Sequence, residues 1–307
     1  MFRLGLVGAG RMGRTHLRAL NDSSDVRIVA VAEPLDALRD DAVSGFDVTG
    51  YSSLSEMLAS GGIDGVLIVT PSDSHVDVIA LVAAAGLPIL CEKPCGVTAE
   101  DTTRAQSIVH GAGVALQIGY WRRFVPELQA IRDRIASGGF GDVLTLSCLQ
   151  WDGEPPSSAF RSRSGGVFID MGVHEFDQAR WLTGSDFTEM SAVASPAISD
   201  PEVTGDPDSA QVLCATASGA TVFVSLGRHF GGGDMASVEV FGSKDHVRST
   251  FLNPQDGERA QLDALVRQAR AFAEFANGAP CRGASVEDAI AALEAAGRAA
   301  AQLAQNR

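Results

Sequence analysis

The chain has 307 residues, 45% of them hydrophobic and 20% charged. No stretch approaches the roughly 18 consecutive apolar residues of a membrane span, and a length near 300 exceeds the usual single-domain range of about 100–200 residues, so two domains are expected. Asp and Glu number 38 against 24 Lys and Arg, and the net charge of −14 opposes the phosphate attraction on which binding to nucleic acid or an anionic membrane rests. Lysine occurs only at Lys93 and Lys244, which leaves 22 arginines. The cysteines, Cys91, Cys95, Cys148, Cys214 and Cys281, are scattered with no CxxC pair. That favours reduced thiols in the cytoplasm over a disulfide framework or a metal site. Met1–Val7 lacks the features of a signal peptide and reads as a strand.

Up to about residue 119, short apolar runs alternate with helix-like segments, the pattern of parallel strands buried on both faces. Strands are expected at Arg3–Val7, Arg27–Ala32, Val48–Tyr51, Gly65–Thr70, Pro88–Cys91 and Val114–Ile118. Helices are expected at Arg11–Leu20, Ser53–Ser60, Ser74–Ala85 and Ala99–Gly111, with Ser74 as an N-cap and Ser53 with Glu56 at capping-box spacing. This order predicts a doubly wound α/β domain with a parallel sheet over residues 1–120. Longer strands follow at Val143–Gln150, Ser191–Ser195, Ser209–Ala217, Thr221–Leu226 and Ala236–Phe241. Their turn-length links predict an open, mainly antiparallel sheet in a second α/β domain over 121–307. Helices near Pro126–Ser137 and Gly166–Leu182 interrupt these strands, and Glu258–Asn277 and Val286–Gln305 close the chain. The last is Ala-rich and is a candidate to pack back on the first domain.

Gly8-Ala9-Gly10-Arg11-Met12-Gly13 directly follows the first strand and opens the first helix. Gly8 suits a tight turn, Gly10 the close approach of a pyrophosphate, and Gly13 close helix–strand contact. The helix N-terminus attracts phosphate locally in a chain whose net charge does not. Glu33, ending the second strand, can accept ribose hydroxyls and repel a 2′-phosphate, so NAD is favoured over NADP. Thr70-Pro71 ends the fourth strand at the edge where a dinucleotide lies. His75 either touches the cofactor or is a satisfied structural histidine, and His16 reads as structural.

Glu92-Lys93-Pro94 follows a buried strand at the same edge. The Lys93 ammonium can hydrogen-bond a substrate hydroxyl and stabilise developing alkoxide, which gives this rare lysine a chemical reason. If Gly166–Leu182 is α-helical, Asp170 and His174 are i,i+4 neighbours, and Asp177 and Trp181 extend the stripe. A carboxylate beside an imidazole orients it as a general base. The bland alternative is an exposed surface pair.

In this order the motifs resemble the Gfo/Idh/MocA family of oxidoreductases, and within it the inositol 2-dehydrogenase branch. The matching residues are Gly8–Gly13, Thr70-Pro71 with His75, Glu92-Lys93-Pro94, Gly119–Phe124 with Pro126, Ser164-Gly165-Gly166, and Asp170 to His174. The resemblance implies a Rossmann domain and an α/β domain whose open sheet has one face on the active site and the other in a homo-oligomer interface, dimeric or tetrameric. It implies a catalytic set of Lys93, Asp170 and His174: His174 takes the hydroxyl proton, Asp170 supports it and Lys93 binds the same oxygen. Cofactor contacts then fall at Gly8, Gly10, Arg11, Met12, Gly13, Glu33, Thr70, Pro71, His75, Glu92, Lys93, Trp121 and Arg122. Substrate contacts fall at Lys93, Tyr120, Arg122, Asp152, Asp170 and His174, with no metal. The implied activity is NAD-dependent oxidation of a secondary hydroxyl on a cyclic polyol or sugar, first of all myo-inositol or a related inositol. A sugar dehydrogenase of other specificity, an NAD-retaining glycosidase and a non-enzymatic sensor are the alternatives. Val125 stands where inositol enzymes commonly have Asp, and Arg228-His229-Phe230-Gly231-Gly232-Gly233-Asp234 lacks their tyrosine, so a polyol other than myo-inositol stays open.

Overall fold

The computed structural model describes residues 1–195, 206–256 and 258–305. The parts of the expected second domain at 196–205, 257 and 306–307 lie outside the described residues. The chain divides into two units, Met1–Trp121 with Leu262–Ile290, and Arg122–Gln261 with Ala291–Arg307.

In the first unit, strands β1 (Phe2–Val7), β2 (Val26–Ala32), β3 (Thr49–Tyr51), β4 (Gly65–Ile68), β5 (Ile89–Cys91) and β6 (Leu116–Ile118) alternate with helices α1 (Arg11–Leu20), α2 (Asp36–Gly45), α3 (Leu54–Ser60), α4 (His75–Ala84) and α5 (Ala99–Ala112). The sheet is parallel, in the order β3-β2-β1-β4-β5-β6. The strand order reverses at β1, so the loops after β1 and β4 flank the switch point where α/β sheets bind ligands. Ser53 caps α3 by accepting from Glu56 N at 3.2 Å, while the Glu56 carboxylate reaches back to Ser52 N at 3.1 Å instead of Ser53. Ser74 does not cap α4. Its hydroxyl lies 2.8 Å from Thr70 Oγ1 and 2.7 Å from Pro71 O, in a 3₁₀ turn that leads into the helix.

Leu4, Leu6, Ile28, Val31 and Leu67 form the core between the sheet and α1, whose Leu17 and Leu20 face inward. Helix α9 (Arg259–Ala276) contributes Ala269, Phe272 and Ala273 to the same cluster, and Phe272 meets Phe2 edge-on at 5.9 Å. A boundary at residue 120 would have assigned this helix to the second domain. Burial of its apolar face returns Leu262–Ala276 to the first unit. Helix α10 (Val286–Gln305) begins in the first unit and continues in the second.

In the second unit, α6 (Pro126–Ala136), β7 (Val143–Trp151), α7 (Ser158–Arg161) and α8 (Val173–Thr183) precede strands β8 (Phe187–Ser195), β9 (Ser209–Thr216), β10 (Thr221–Gly227), β11 (Met235–Gly242) and β12 (His246–Leu252). Their sheet runs β12-β11-β7-β10-β9-β8 and is antiparallel except for the β7–β10 pair. Alternation sends Leu146, Cys148, Val212, Val224 and Val238 inward, fully buried, while Val193, Leu213 and Phe241 remain exposed on the other face. Helix α8 packs on the inner face: Gln178 Nε2 lies 3.3 Å from Cys148 Sγ, and the Phe176 ring meets Phe187 at 5.9 Å.

The expected single helix over Gly166–Leu182 is interrupted. Gly165 and Gly166 hold φ of +80° and +85°, Phe168–Gly172 forms a π-turn, and only then does α8 begin. Helix α2, in which only Ala42 is buried, and edge strand β12, in which only Phe251 is buried, were not among the expected elements, because neither gives a strong periodic signal. Among the described residues no helix is long and apolar enough to cross a membrane.

The packing of α9 predicts that Phe272→Ala, which empties an aromatic site in the first core, destabilises the chain by about 3–5 kcal/mol. Urea titration of the full chain should show a lower midpoint.

Candidate active site

In the first unit the three glycines after β1 have different surroundings. Gly8 has φ +98°, and a Cβ there would meet Val69 O at 2.7 Å. A Cβ on Gly13 would meet Gly8 O at 2.2 Å, so only glycine lets α1 sit this close to the strand. At Gly10 a Cβ would meet nothing within 4 Å; the space beside it is open, as a bound pyrophosphate requires. No side chain caps α1, and its first turn carries no acid, so its amides face an anion without competition. Arg11 is exposed and Met12 half-buried at this turn.

Glu33 is buried directly behind the glycine loop. Its Oε2 accepts from Ala9 N at 2.9 Å and its Oε1 from Leu35 N at 3.0 Å. A carboxylate has about four lone-pair directions, so both oxygens keep capacity for ribose hydroxyls while the amides fix their orientation. The residues therefore fit a dinucleotide: open space beside Gly10 for a pyrophosphate, and a carboxylate with lone pairs left for ribose hydroxyls.

The ends of β4 and β5 are tied together within this unit. His75 is buried, with Nδ1 2.8 Å from Pro94 O and Nε2 2.8 Å from Thr70 O. Both ring nitrogens thus lie against main-chain carbonyls, and burial pulls its pKa down; the neutral ring has one N–H and donates to one of the two. The Lys93-Pro94 bond is cis. Half-buried Lys93 is held through its main chain, its N donating to Glu92 Oε2 at 3.1 Å. The other Glu92 oxygen lies 2.7 Å from His16 Nε2 on α1, so the structural reading of His16 acquires a definite partner. Burial alone would raise the Glu92 pKa, but the His16 bond and charge, with the Lys93 charge and amide, outweigh it and bring the pKa below the ordinary carboxylate value. Tyr120 and Trp121 follow β6 and are buried. At Gly119, a Cβ would come within 3.1 Å of the Glu92 carboxylate.

In the second unit, Asp170 lies on the π-turn and His174, buried, in the first turn of α8. The α-helical stripe proposed for these residues is therefore not one continuous α-helix. The Asp170 carboxylate accepts from Arg228 Nη1 at 2.9 Å. Asp177 is claimed by Arg123 through two bonds, at 3.0 and 2.5 Å, and the Trp181 ring is covered by Arg132 at 5.0 Å. The Asp170 pair and the Asp177 pair are both largely buried, which excludes the exposed-surface alternative.

Arg122 has more protein partners than its cofactor and substrate assignment implied. Its guanidinium pairs with buried Glu175 and donates to Gln150 Oε1 at 2.6 Å; Gln150 Nε2 in turn donates to Asp152 Oδ1 at 3.0 Å. Burial raises the Glu175 pKa, and Arg122 opposes the rise. Asp152 is thus reached by a relay from Arg122, and its main chain is clamped: Asp152 N donates to Gly227 O and Phe230 N to Asp152 O, both at 2.9 Å. Glu175, Gln150 and Arg228 escaped the sequence reading. Only Arg228 left a signal there, because it continues the inward parity of Val222, Val224 and Leu226 along β10.

Residues 2–120 match the family described as "Oxidoreductase family, NAD-binding Rossmann fold", and residues 128–248 match "GFO/IDH/MocA C-terminal domain". The rhizopine catabolism protein MocA of Rhizobium meliloti is 50% identical over 292 residues, which cover 95% of this chain and 92% of that protein. An inositol 2-dehydrogenase of the same species is 36% identical over 269 residues, 86% of this chain and 80% of that protein. The crystal structure of a myo-inositol dehydrogenase from Corynebacterium glutamicum superposes with a TM-score of 0.90 at 25% identity, covering 100% of this chain and 98% of that one.

Two predictions follow from the first unit. Because Glu92 is more acidic when folded than when unfolded, its contribution is complete above the ordinary carboxylate pKa and is lost as pH falls through the folded value. Between about pH 5 and about pH 3, the denaturation midpoint should therefore drop more steeply for the parent than for Glu92→Gln. Glu33→Gln, which removes the charge and keeps the shape, should tighten NADP binding relative to NAD by about tenfold or more in fluorescence titrations.

Proposed function

The chain belongs to the Gfo/Idh/MocA family of oxidoreductases, and from that premise we propose that it oxidises a secondary hydroxyl of a cyclic polyol of the inositol class, passing hydride to NAD. The observation that carries this reading is the open space at Gly10, with Glu33 fixed behind the loop, in a chain whose relatives include inositol dehydrogenases. NAD, when bound, supplies the hydride acceptor.

The chain's own residues handle the proton and the oxygen. His174 takes the hydroxyl proton, Asp170 orients His174, and the Lys93 ammonium donates to the substrate oxygen as negative charge develops on it. Asp152, steadied through Gln150, contacts the ring hydroxyls, and Tyr120 and Arg122 support the substrate with it. Arg11, Met12, Thr70, Pro71, Glu92 and Trp121 complete the cofactor contacts, and His75 serves by holding Thr70 and Pro94 in place. The relative named for rhizopine catabolism makes a rhizopine-pathway polyol a candidate substrate beside inositol. Among the described residues the cysteines form no disulfide, which suits a reducing, cytoplasmic setting, and burial pushes the Cys148 and Cys214 thiols up to about 12. The exposed face bearing Val193, Leu213 and Phe241 suits a homo-oligomer, dimeric or tetrameric.

A panel of inositols, rhizopine and sugars, read by NADH formation with NADP in parallel, tests the reading. At least one inositol-class polyol should give NADH. His174→Ala should keep NAD affinity, and both His174→Ala and Lys93→Ala should lose about 100-fold or more in turnover. Wild-type turnover in both variants would contradict the roles, and cleavage of a chromogenic glycoside without net NADH would contradict the reaction.

A further inference from the structure

Arg228 follows β10 and has a fully buried side chain. A guanidinium with no solvent access must be neutralised within the protein, and here it is shared by two carboxylates. Nη1 donates to Asp170 Oδ2 at 2.9 Å, and Nη2 lies 3.3 Å from Asp206 Oδ2. The far end is itself anchored. Asp206 Oδ2 accepts from Arg161 Nε at 2.8 Å, its Oδ1 accepts from Val167 N at 2.8 Å, and Arg161 Nη1 pairs with Asp208 at 3.2 Å. The cluster therefore sets two guanidinium groups, Arg161 and Arg228, against three carboxylates, and Asp170 is its most exposed member at 16%.

We infer that Arg228 is a positioning residue for the reaction: it fixes the Asp170 carboxylate by one oxygen and, through Asp170, sets the orientation of His174. The inference rests on the proposed roles of Asp170 and His174. Asp170 stands on a π-turn, which rotates its side chain away from the register of α8, so helix geometry alone does not aim it. The contact from Arg228 supplies that aim, and its charge pair with Asp206, whose Oδ1 accepts from Val167 N, relates the same guanidinium to the segment just ahead of the turn. Without Arg228, Asp170 loses the donor that holds its carboxylate and can turn, and Asp206 loses one of its two guanidinium partners. A turned Asp170 alters what His174 meets. Because Arg228 touches the carboxylate and not the substrate, its loss acts on the chemical step.

The test is a double-mutant cycle on the full chain, using Arg228→Lys, which keeps the buried charge but cannot span two carboxylates. In the parent background, Arg228→Lys should lower kcat by about tenfold, with the polyol KM and NAD affinity changed by less than about twofold. In the Asp170→Asn background, itself strongly impaired, the same substitution should cost less than about twofold, because the carboxylate it acts through is gone. An equal loss in both backgrounds, or none in the parent, overturns the inference while leaving the role of Asp170 intact. Parental kcat in Asp170→Asn overturns that role, and the inference with it.

Discussion

The second unit is organised by the need to neutralise buried arginine. The π-turn and α8 carry Asp170, Glu175 and Asp177, and each is met by an arginine: Arg228, Arg122 and Arg123 respectively. Such pairs add little stability over well-packed apolar residues, but removing one partner strands a buried charge at a cost of about 3–5 kcal/mol. Their effect is on register. A helix whose acids must each meet a guanidinium has little freedom to rotate or slide, and His174 lies on it between Asp170 and Glu175. The composition then acquires a reason. Planar, multiply donating guanidinium groups can serve two carboxylates at once, as Arg228 and Arg161 do, whereas an ammonium is a point charge.

The first unit solves a different problem by different means. An acidic chain has to hold an anionic cofactor, and it uses backbone geometry: glycines that bring α1 against β1, an uncapped helix N-terminus, and one carboxylate held by two amides. Charge enters only where it discriminates, at Glu33. Lys93 is again the exception in composition, because the proposed role calls for a compact ammonium beside a developing alkoxide.

The parallel sheet is legible because most of its strands, β1, β2, β4, β5 and β6, are short and largely buried runs, and the glycine loop because its residues have distinct steric surroundings, crowded at Gly8 and Gly13 and open at Gly10. What stayed hidden has physical reasons. Helix α2 and strand β12 bury too few side chains to leave a period. The π-turn was invisible because its residues suit an α-helix equally well, so the i,i+4 argument for Asp170 and His174 assumed a regularity the chain breaks there. Partners remote in sequence were also out of reach: Arg122 meets Gln150 and Glu175, and Asp170 meets Arg228 across 58 residues. The ligand contacts expected of Arg122 gave no hint of its protein acceptors, Glu175 and Gln150.

Hydride transfer from a ring carbon is the claim on which the functional account depends, and isotope tracing reads it directly. With an inositol deuterated at its carbinol carbons, the account predicts that each NADH formed carries one deuterium on the nicotinamide and that a ketone appears in equal amount. Unlabelled NADH, or turnover with no net NADH, would contradict it.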